Sequence, residues 1–409
     1  MDESLTPIIG PAALSANAAA AALATGEFSA VQLTQAYLDR IDKYNGLINA
    51  YLHVDAAGAL EQAAASDQRR AQGKAFHPLD GLPFGIKDNI AVAGLPLTAG
   101  MEVRRDRIAS EDAHCVSKLR RAGAVILGKL HLHEAALGAD SDNPFYGRCH
   151  NPRRIGYTPG GSSGGCAAAL AAHLCALSLG SDTMGSVRIP ASYCGVVGMK
   201  PSASRVSQRG LLSAAMRLDT VGPMARCVSD VGALFQQISG VDPADPMSRT
   251  VTLAHAEVSP SALRIGVLDG LSAHGVQSQV ELCFSQMVQR LSELLPNMQM
   301  VSFADMDFGR ARRAGLLLCE ANMCLAHADD LAQQPEKFSP ALRNMLAYAK
   351  TRSAVDLSAA NSLLDEAILK SRRVFAQVDI LLTPCTPQPA FPFGDKVPVN
   401  QADLTSFAN

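Results

Sequence analysis

Four short stretches hold the side chains with which this chain could do covalent chemistry. Pro159-Gly160-Gly161-Ser162-Ser163-Gly164-Gly165 packs four glycines and two hydroxyls into seven residues and leads straight into the Ala-rich run Cys166 to Leu174. Glycine loses more freedom on folding than any other residue, so such a run marks backbone that is sharply bent or very close to something. A Gly/Ser turn opening a helix also presents free N–H groups and the positive end of its dipole, which suits an anion or an oxygen becoming one. Gly160 and Gly165 have the glycine spacing of a phosphate loop, but Cys166 and Ala167 follow where that loop needs Lys and Ser or Thr. Gly160 to Gly164 also matches G-x-S-x-G, the nucleophile elbow. That elbow needs a strand before it and an acid and a histidine after it. Ile155 to Pro159 is not strand-like, and His173, His255, His274 and His327 lie in helical or loop contexts, so a chance match is the better reading.

The second stretch, Gly180-Ser181-Asp182-Thr183-Met184-Gly185-Ser186-Val187-Arg188-Ile189-Pro190, follows a short apolar run. Loops at strand ends are where α/β proteins build sites. An ordinary turn, with Asp182 bonding its own backbone, fits the spacing equally well. The third is Lys87, inside the apolar segment Leu82 to Ile90. A lysine there either snorkels to solvent or is buried with a lowered pKa, and the second is how a protein makes a base without histidine. The fourth, His131-Leu132-His133-Glu134, has metal-ligand residue types but no partner at a known ligand spacing, so a polar strand end is the better reading.

Elements able to hold these side chains are legible around them. Ser15 to Leu23 is nearly all alanine, and Ser29-Ala30-Val31-Gln32 is a capping-box pattern opening a helix from Ala30 to Tyr44. Ala56 to Gln72 and Glu111 to Ala122 read as helices. Leu82 to Ile90, Ala124 to Lys129, Cys175 to Gly180, Leu263 to Leu268 and Asp379 to Pro384 read as strands. Long helical patterns cover Gln277 to Leu295, Arg310 to Gln333 and Ala354 to Val378. Strands alternating with helices predict an α/β architecture. Gly240 to Pro246 is the best boundary candidate, but it is short, so one domain with an insertion is expected rather than two independent units.

Composition narrows the function classes. The 409 residues are 48% hydrophobic and 18% charged, which is globular. A formal charge of −2, no Trp and 5% aromatic content argue against a nucleic-acid or anionic-membrane surface. None of the ten cysteines forms a C-x-x-C pair, the N-terminus lacks a basic signal region, and no stretch approaches the apolar length of a membrane span. A cytoplasmic, reducing location is the expectation.

Taken together, the segments from Phe84 to Val231 resemble the amidase signature family, serine hydrolases of amide bonds. Gly85-Ile86-Lys87-Asp88-Asn89 looks like the family's lysine strand, Pro159 to Gly165 like its Gly/Ser motif, and Gly180 to Pro190 like its nucleophile loop. Cys194 to Pro201 and Asp219 to Arg226 are family-like as well. The resemblance implies a mixed, mostly parallel central sheet with helices on both faces. It also implies a Ser-Ser-Lys triad: Ser186 as nucleophile, Ser162 behind a cis peptide as relay, and unprotonated Lys87 as base. Backbone N–H groups of Thr183, Met184, Gly185 and Ser186 would form the oxyanion hole. Ser163, Asp182 and Arg188 are candidate substrate contacts; Arg188 and Arg217 could each receive a carboxylate or be structural. No cofactor and no metal is implied.

Two departures stand out. Met184 occupies a position that is usually glycine, which predicts an altered or narrowed acyl site. Thr405-Ser406-Phe407-Ala408-Asn409 looks like the start of the family's closing N-x-x-G-x-P stretch, which leads us to expect a longer gene product. The domain expectation is one amidase domain over 1–409. It would be helical over 1–75, with a catalytic core at 76–232, a more variable helical stretch at 233–378 and an incomplete C-terminal end. The functional expectation is hydrolysis of a small carboxylic or urea-derived amide to carboxylate and ammonia through an acyl-enzyme on Ser186. The alternatives are the amidase subunit of a glutamyl-tRNA amidotransferase and a degenerate, non-catalytic amide-binding relative. The expected partner is a small-molecule amide, not nucleic acid or membrane, with homodimer formation left open.

Overall fold

The computed structural model describes residues 8–249, 258–303 and 305–394. The expectation drawn from Thr405 to Asn409 lies outside the described residues. The chain divides into two compact units.

The first unit takes in the described residues up to 249 together with 329–342 and 390–394. Along the chain it runs α1 (Ala16–Thr25), α2 (Ala30–Ile48), β1 (Tyr51–Val54), α3 (Ala56–Ala71), β2 (Pro83–Lys87), α4 (His114–Arg121) and β3 (Val125–Leu130). Then come the small hairpin β4 (Asp142–Asn143) and β5 (Gly147–Arg148), α5 (Gly164–Ala171), β6 (Leu177–Asp182), α6 (Arg188–Cys194), β7 (Val197–Gly198), β8 (Thr220–Ala225) and α7 (Val228–Ile238). The capping box that opens α2 is formed: Ser29 Oγ accepts from Gln32 N at 3.1 Å, and Gln32 Oε1 accepts from Ser29 N at 2.8 Å.

Six strands make one sheet in the order β1-β3-β2-β6-β8-β7. Only its middle, β3-β2-β6, is parallel. The β1-β3, β6-β8 and β8-β7 pairings are antiparallel. The sheet is thus mixed, and the expectation of a mostly parallel one is corrected: among the described residues, parallel pairing in this sheet is confined to the three central strands. The reason is β8, the strand over Thr220–Ala225. It returns antiparallel beside β6 and carries the edge strand β7 antiparallel in turn, and its Gly and Pro had masked it as a strand.

Every residue of β2, β3, β6 and β8 is buried. Successive side chains of a strand face opposite sides, so both faces of this sheet are covered. Phe84 and Ile86 anchor one face of β2, and full burial of side chains of this size stabilises by about 1.5–3 kcal/mol each. The alanines of α5 have a matching purpose. Ala167, Ala168 and Ala169 are fully buried, and small side chains let the helix axis come close to the sheet.

The second unit is built on a parallel three-stranded sheet, β10-β9-β11, from β9 (Ile265–Leu268), β10 (Met298–Val301) and β11 (Ile380–Leu382). Its helices are α8 (Ser278–Ser292), α9 (Phe308–Ala326) and α12 (Ala354–Phe375); along the chain between α9 and α12 come α10 (Ala328–Gln333), which falls almost wholly in the first unit's 329–342 segment, and α11 (Pro340–Lys350), which begins there and continues into the second. Val267, Leu268, Phe284, Val301, Phe303, Val374 and Val378 form its core. The long pattern read from Arg310 to Gln333 is interrupted at His327, where the backbone leaves the helical region.

Candidate active site

Parallel pairing of β2 with β6 aligns Ile86 with Leu179, so the carboxyl ends of the two strands lie side by side. Lys87 is the last residue of β2, and Ser181 and Asp182 end β6. Lys87 is fully buried. Its Nζ lies 2.7 Å from Ser162 Oγ, 2.9 Å from Ser181 Oγ and 3.4 Å from Ser181 O. Burial lowers its pKa from 10.5 to about 8, because an ammonium loses hydration there, while Asp182 and Asp219 pull weakly the other way. No carboxylate is among its hydrogen-bond partners in the described residues. The snorkelling reading is thereby excluded: this is a desolvated amine beside two hydroxyls.

Ser162 reaches it from the Gly/Ser turn, whose Gly161–Ser162 peptide bond is cis. Gly165 shows why glycine is needed here. A Cβ at that position would stand 2.5 Å from His131 N and 2.6 Å from Ala50 O, inside van der Waals contact. The helix N-terminus is not open to an anion. Gly165 N–H donates to His131 O at 3.1 Å, and Ser163 N–H donates to Ser186 O at 3.1 Å. That last bond ties the residue after Ser162 directly to Ser186.

The loop leaving β6 is organised by Asp182. Its carboxylate accepts from Gly185 N at 2.8 Å and Val187 N at 3.1 Å. It also takes a bidentate pair from Arg188, with Nε at 2.9 Å and Nη2 at 2.8 Å. Both Asp182 and Arg188 are therefore committed to each other, and they shape the loop rather than wait for substrate. Arg188 and the loop donors hold the Asp182 pKa below its usual value despite complete burial, which alone would raise it. Ser163 Oγ is also engaged within the chain: it is buried and donates to Ser181 O at 3.0 Å. Gly185 leaves the expected oxyanion set because its N–H is taken by Asp182. The N–H groups of Thr183, Met184 and Ser186 have no internal acceptor among the described residues. Ser186 and Met184 are half-buried, at the open side of the loop.

Three participants were not singled out from the sequence. Ser181 is the second hydroxyl on Lys87 and also accepts from Asn89 Nδ2 at 3.0 Å. Asp219, from the family-like segment after Leu218, binds the Thr183 hydroxyl and so anchors the loop start. Lys129, next door on β3, is a second fully buried lysine, 3.0 Å from Asp88 Oδ1. The signal for Ser181 was its position one residue before Asp182 at a strand end, where side chains converge. The His131 to Glu134 cluster is parted among separate partners. His131 Nε2 faces Gly147 O at 2.8 Å, His133 Nδ1 lies 2.9 Å from Asp140 Oδ1, and Glu134 Oε1 accepts from Ser339 N at 3.1 Å. No group of three potential ligands comes together among the described residues, and no described helix is long and apolar enough to cross a membrane.

A mixed sheet under helices, with polar machinery at the carboxyl ends of its parallel strands, defines an α/β enzyme of the hydrolase type. The Amidase family profile matches residues 32–408, and the chain belongs to that family: it is an amidase-signature amidohydrolase. Among curated relatives, it is 37% identical to a glutamyl-tRNA(Gln) amidotransferase subunit of Thermobifida fusca (strain YX), over 94% of this chain and 83% of that one. Among solved structures, it matches a vestigial protein complex described as revealing the evolutionary origins of an s-triazine catabolic enzyme. That match has a TM-score of 0.85 at 33% identity, covering 93% of this chain and 83% of the other. A structure described simply as an amidase matches with a TM-score of 0.84 at 30% identity, covering 93% and 84%.

Proposed function

We propose that this amidohydrolase cleaves a small carboxylic or urea-derived amide, with Ser186 as nucleophile, Ser162 as relay and Lys87 as base. The observation that carries the reading is the fully buried Lys87 amine, 2.7 Å from Ser162 Oγ and without a carboxylate partner among the described residues. A serine hydroxyl needs an adjacent base, and a lysine serves only when its pKa approaches the working pH. In the acylation step Ser186 Oγ bonds to the amide carbon while its proton passes through Ser162 to Lys87. The C–N bond then breaks, and the departing nitrogen takes a proton back along the same path. Water, deprotonated by the same relay, attacks the acyl carbon; the C–Oγ bond breaks and the carboxylate leaves. The free N–H groups of Met184 and Ser186, with that of Thr183, are the donors for the oxyanion, and one such donor is worth about 3 kcal/mol.

The test is ammonia release by the purified chain across a panel of small amides, beside Ser186→Ala. Release by the wild type and none by the variant is expected; equal rates would sink the assignment. The relative from Thermobifida fusca favours a second reading, in which the chain is the amidase subunit of a glutamyl-tRNA amidotransferase. On that reading the chain alone would leave the whole panel untouched and release ammonia from glutamine only with partner subunits.

A further inference from the structure

The loop from His133 to Ser141 wraps the turn that carries Ser162, and it is an uncomfortable loop. Ala135, Ala136 and Ser141 all have left-handed backbone, with φ of 54°, 58° and 57°. That conformation costs a side-chain-bearing residue roughly 1 kcal/mol or more. Something must hold the loop in place, and its contacts show what it holds. His133 N–H donates to Ser162 O at 3.2 Å. Ser141 Oγ donates to Gly160 O at 2.8 Å. Thr158 Oγ1 donates to Asp140 O at 2.7 Å and accepts from Gly160 N at 2.9 Å. A Cβ on Gly161 would stand 2.8 Å from Asp140 N and 2.9 Å from Ala139 C, so turn and loop touch backbone to backbone.

The two ends of the loop meet side chain to side chain. His133 Nδ1 lies 2.9 Å from Asp140 Oδ1, and the imidazole is packed so close to Gly138 that a Cβ there would fall 2.2 Å from Nε2. We propose that His133 and Asp140 are positioning residues, a clasp that closes this loop around the Gly160-Gly161-Ser162 turn and thereby sets the Ser162 hydroxyl on Lys87. The inference rests on the relay role given to Ser162 above. The charges suit a clasp. Burial alone would lower the His133 pKa, but Asp140, with Glu134 and Asp142 nearby, raises it above its usual value. Burial alone would raise the Asp140 pKa, but His133 holds it below the usual carboxylate range.

The test uses the full chain and a fluorophosphonate, which needs no knowledge of the natural amide. Ser186 Oγ bonds to phosphorus, fluoride leaves, and the serine proton passes to Lys87 through Ser162. Varying the reagent concentration separates the maximal labelling rate from the half-saturating concentration. His133→Ala and Asp140→Ala should each lower the maximal rate about 10- to 100-fold, the penalty of a displaced catalytic group, with half-saturation nearly unchanged. The double variant should be no slower than the slower single one, because the two act as a unit. His133→Asn places an amide N–H near the former Nδ1 and should regain most of the rate, and Asp140→Asn should sit between wild type and alanine. A maximal rate unchanged in both alanine variants overturns the clasp. So does a loss in which asparagine at 133 does no better than alanine while circular dichroism shows a folded protein. Ser162→Ala separates the two readings: if it labels at the wild-type rate, the relay itself is wrong, whereas its failure beside unaffected His133 and Asp140 variants defeats the clasp alone.

Discussion

Lys87 and Lys129 lie on neighbouring parallel strands, in a register that sets Lys129 beside Ile86 and Lys87 beside Leu130. Both are fully buried, and burial pulls both below the usual 10.5. Their partners make them different groups. Lys129 Nζ is 3.0 Å from Asp88 Oδ1, 2.9 Å from Ile90 O and 2.6 Å from Pro96 O. Two carbonyls accept its N–H groups and a carboxylate balances its charge; none of these partners can donate, so the proton stays. Lys87 faces the hydroxyls of Ser162 and Ser181, which can donate as well as accept. An amine among hydroxyls can give its proton up and take one back. Lys129 also grips the chain just past Lys87, since Asp88, Ile90 and Pro96 all lie beyond the end of β2. On the proposed mechanism one lysine is a reagent, and the other braces the backbone that aims it.

The contrast breaks most sharply at Lys87. Lys87→Ala should reduce amide turnover about 10³-fold near neutral pH, within the range for loss of a general base, and leave the fold intact on a thermal melt. Part of the loss should be recovered at high pH, where hydroxide replaces the base. The reverse is expected at Lys129. Lys129→Met leaves the Asp88 carboxylate buried without its cation and should cost about 3 kcal/mol in denaturant unfolding, whereas adding Asp88→Asn should restore much of it. If Lys129→Met were as stable as wild type, the bracing role would be lost.

The pH profile sharpens the difference further. On the proposed mechanism Lys87 works unprotonated, and its pKa is lowered to about 8, so kcat/KM should fall about tenfold per unit as pH drops below about 8 and level off above it. A Lys129→Met variant that folds should keep the same midpoint. The smallest effect is expected for Ser181→Ala. Removing one acceptor of the ammonium favours the neutral amine, so the midpoint should move down, by less than about one unit. A midpoint moving upward would mean that Ser181 donates to Lys87 rather than accepts from it.

Lys87, Ser162 and Ser186 stand out as candidates because each sits in a stretch whose composition is costly for ordinary folding: a charge in an apolar strand, or glycines and hydroxyls crowded at element ends. Lys129 sits in an equally apolar strand, Val125–Leu130, yet it drew no notice as a chemical group. Its partner Asp88 lies just past the end of a different strand, and strand register cannot be read from one sequence. Ser181, Asp219 and the His133–Asp140 contact were hidden for the same reason. The spacing left Asp182 open between a local backbone bond and a substrate contact, and Arg188 between a carboxylate contact and a structural role; the bidentate pair between them depends on how far the loop curls back, which spacing does not give. The strand Thr220–Ala225 is hard to read from sequence because Gly222 and Pro223 interrupt its alternation, although it pairs with β6 from Thr220 to Met224.

What the sequence determined by itself was local. The helix start at Ser29, the apolar strand around Lys87, the small-residue helix after the Gly/Ser turn and the order of the chemistry-bearing segments all follow from neighbouring residues, through capping, periodicity and backbone freedom. Tertiary structure decided which of those groups touch. It joined Lys87 to Ser162 and Ser181, gave Lys129 a carboxylate, turned Asp182 inward and closed the loop of His133 and Asp140 round the turn. Hydrogen bonds and desolvation act over a few ångströms in space, whatever the separation along the chain. The difference between a lysine that can act as a base and one that cannot therefore lies in its neighbours rather than in its own position in the sequence.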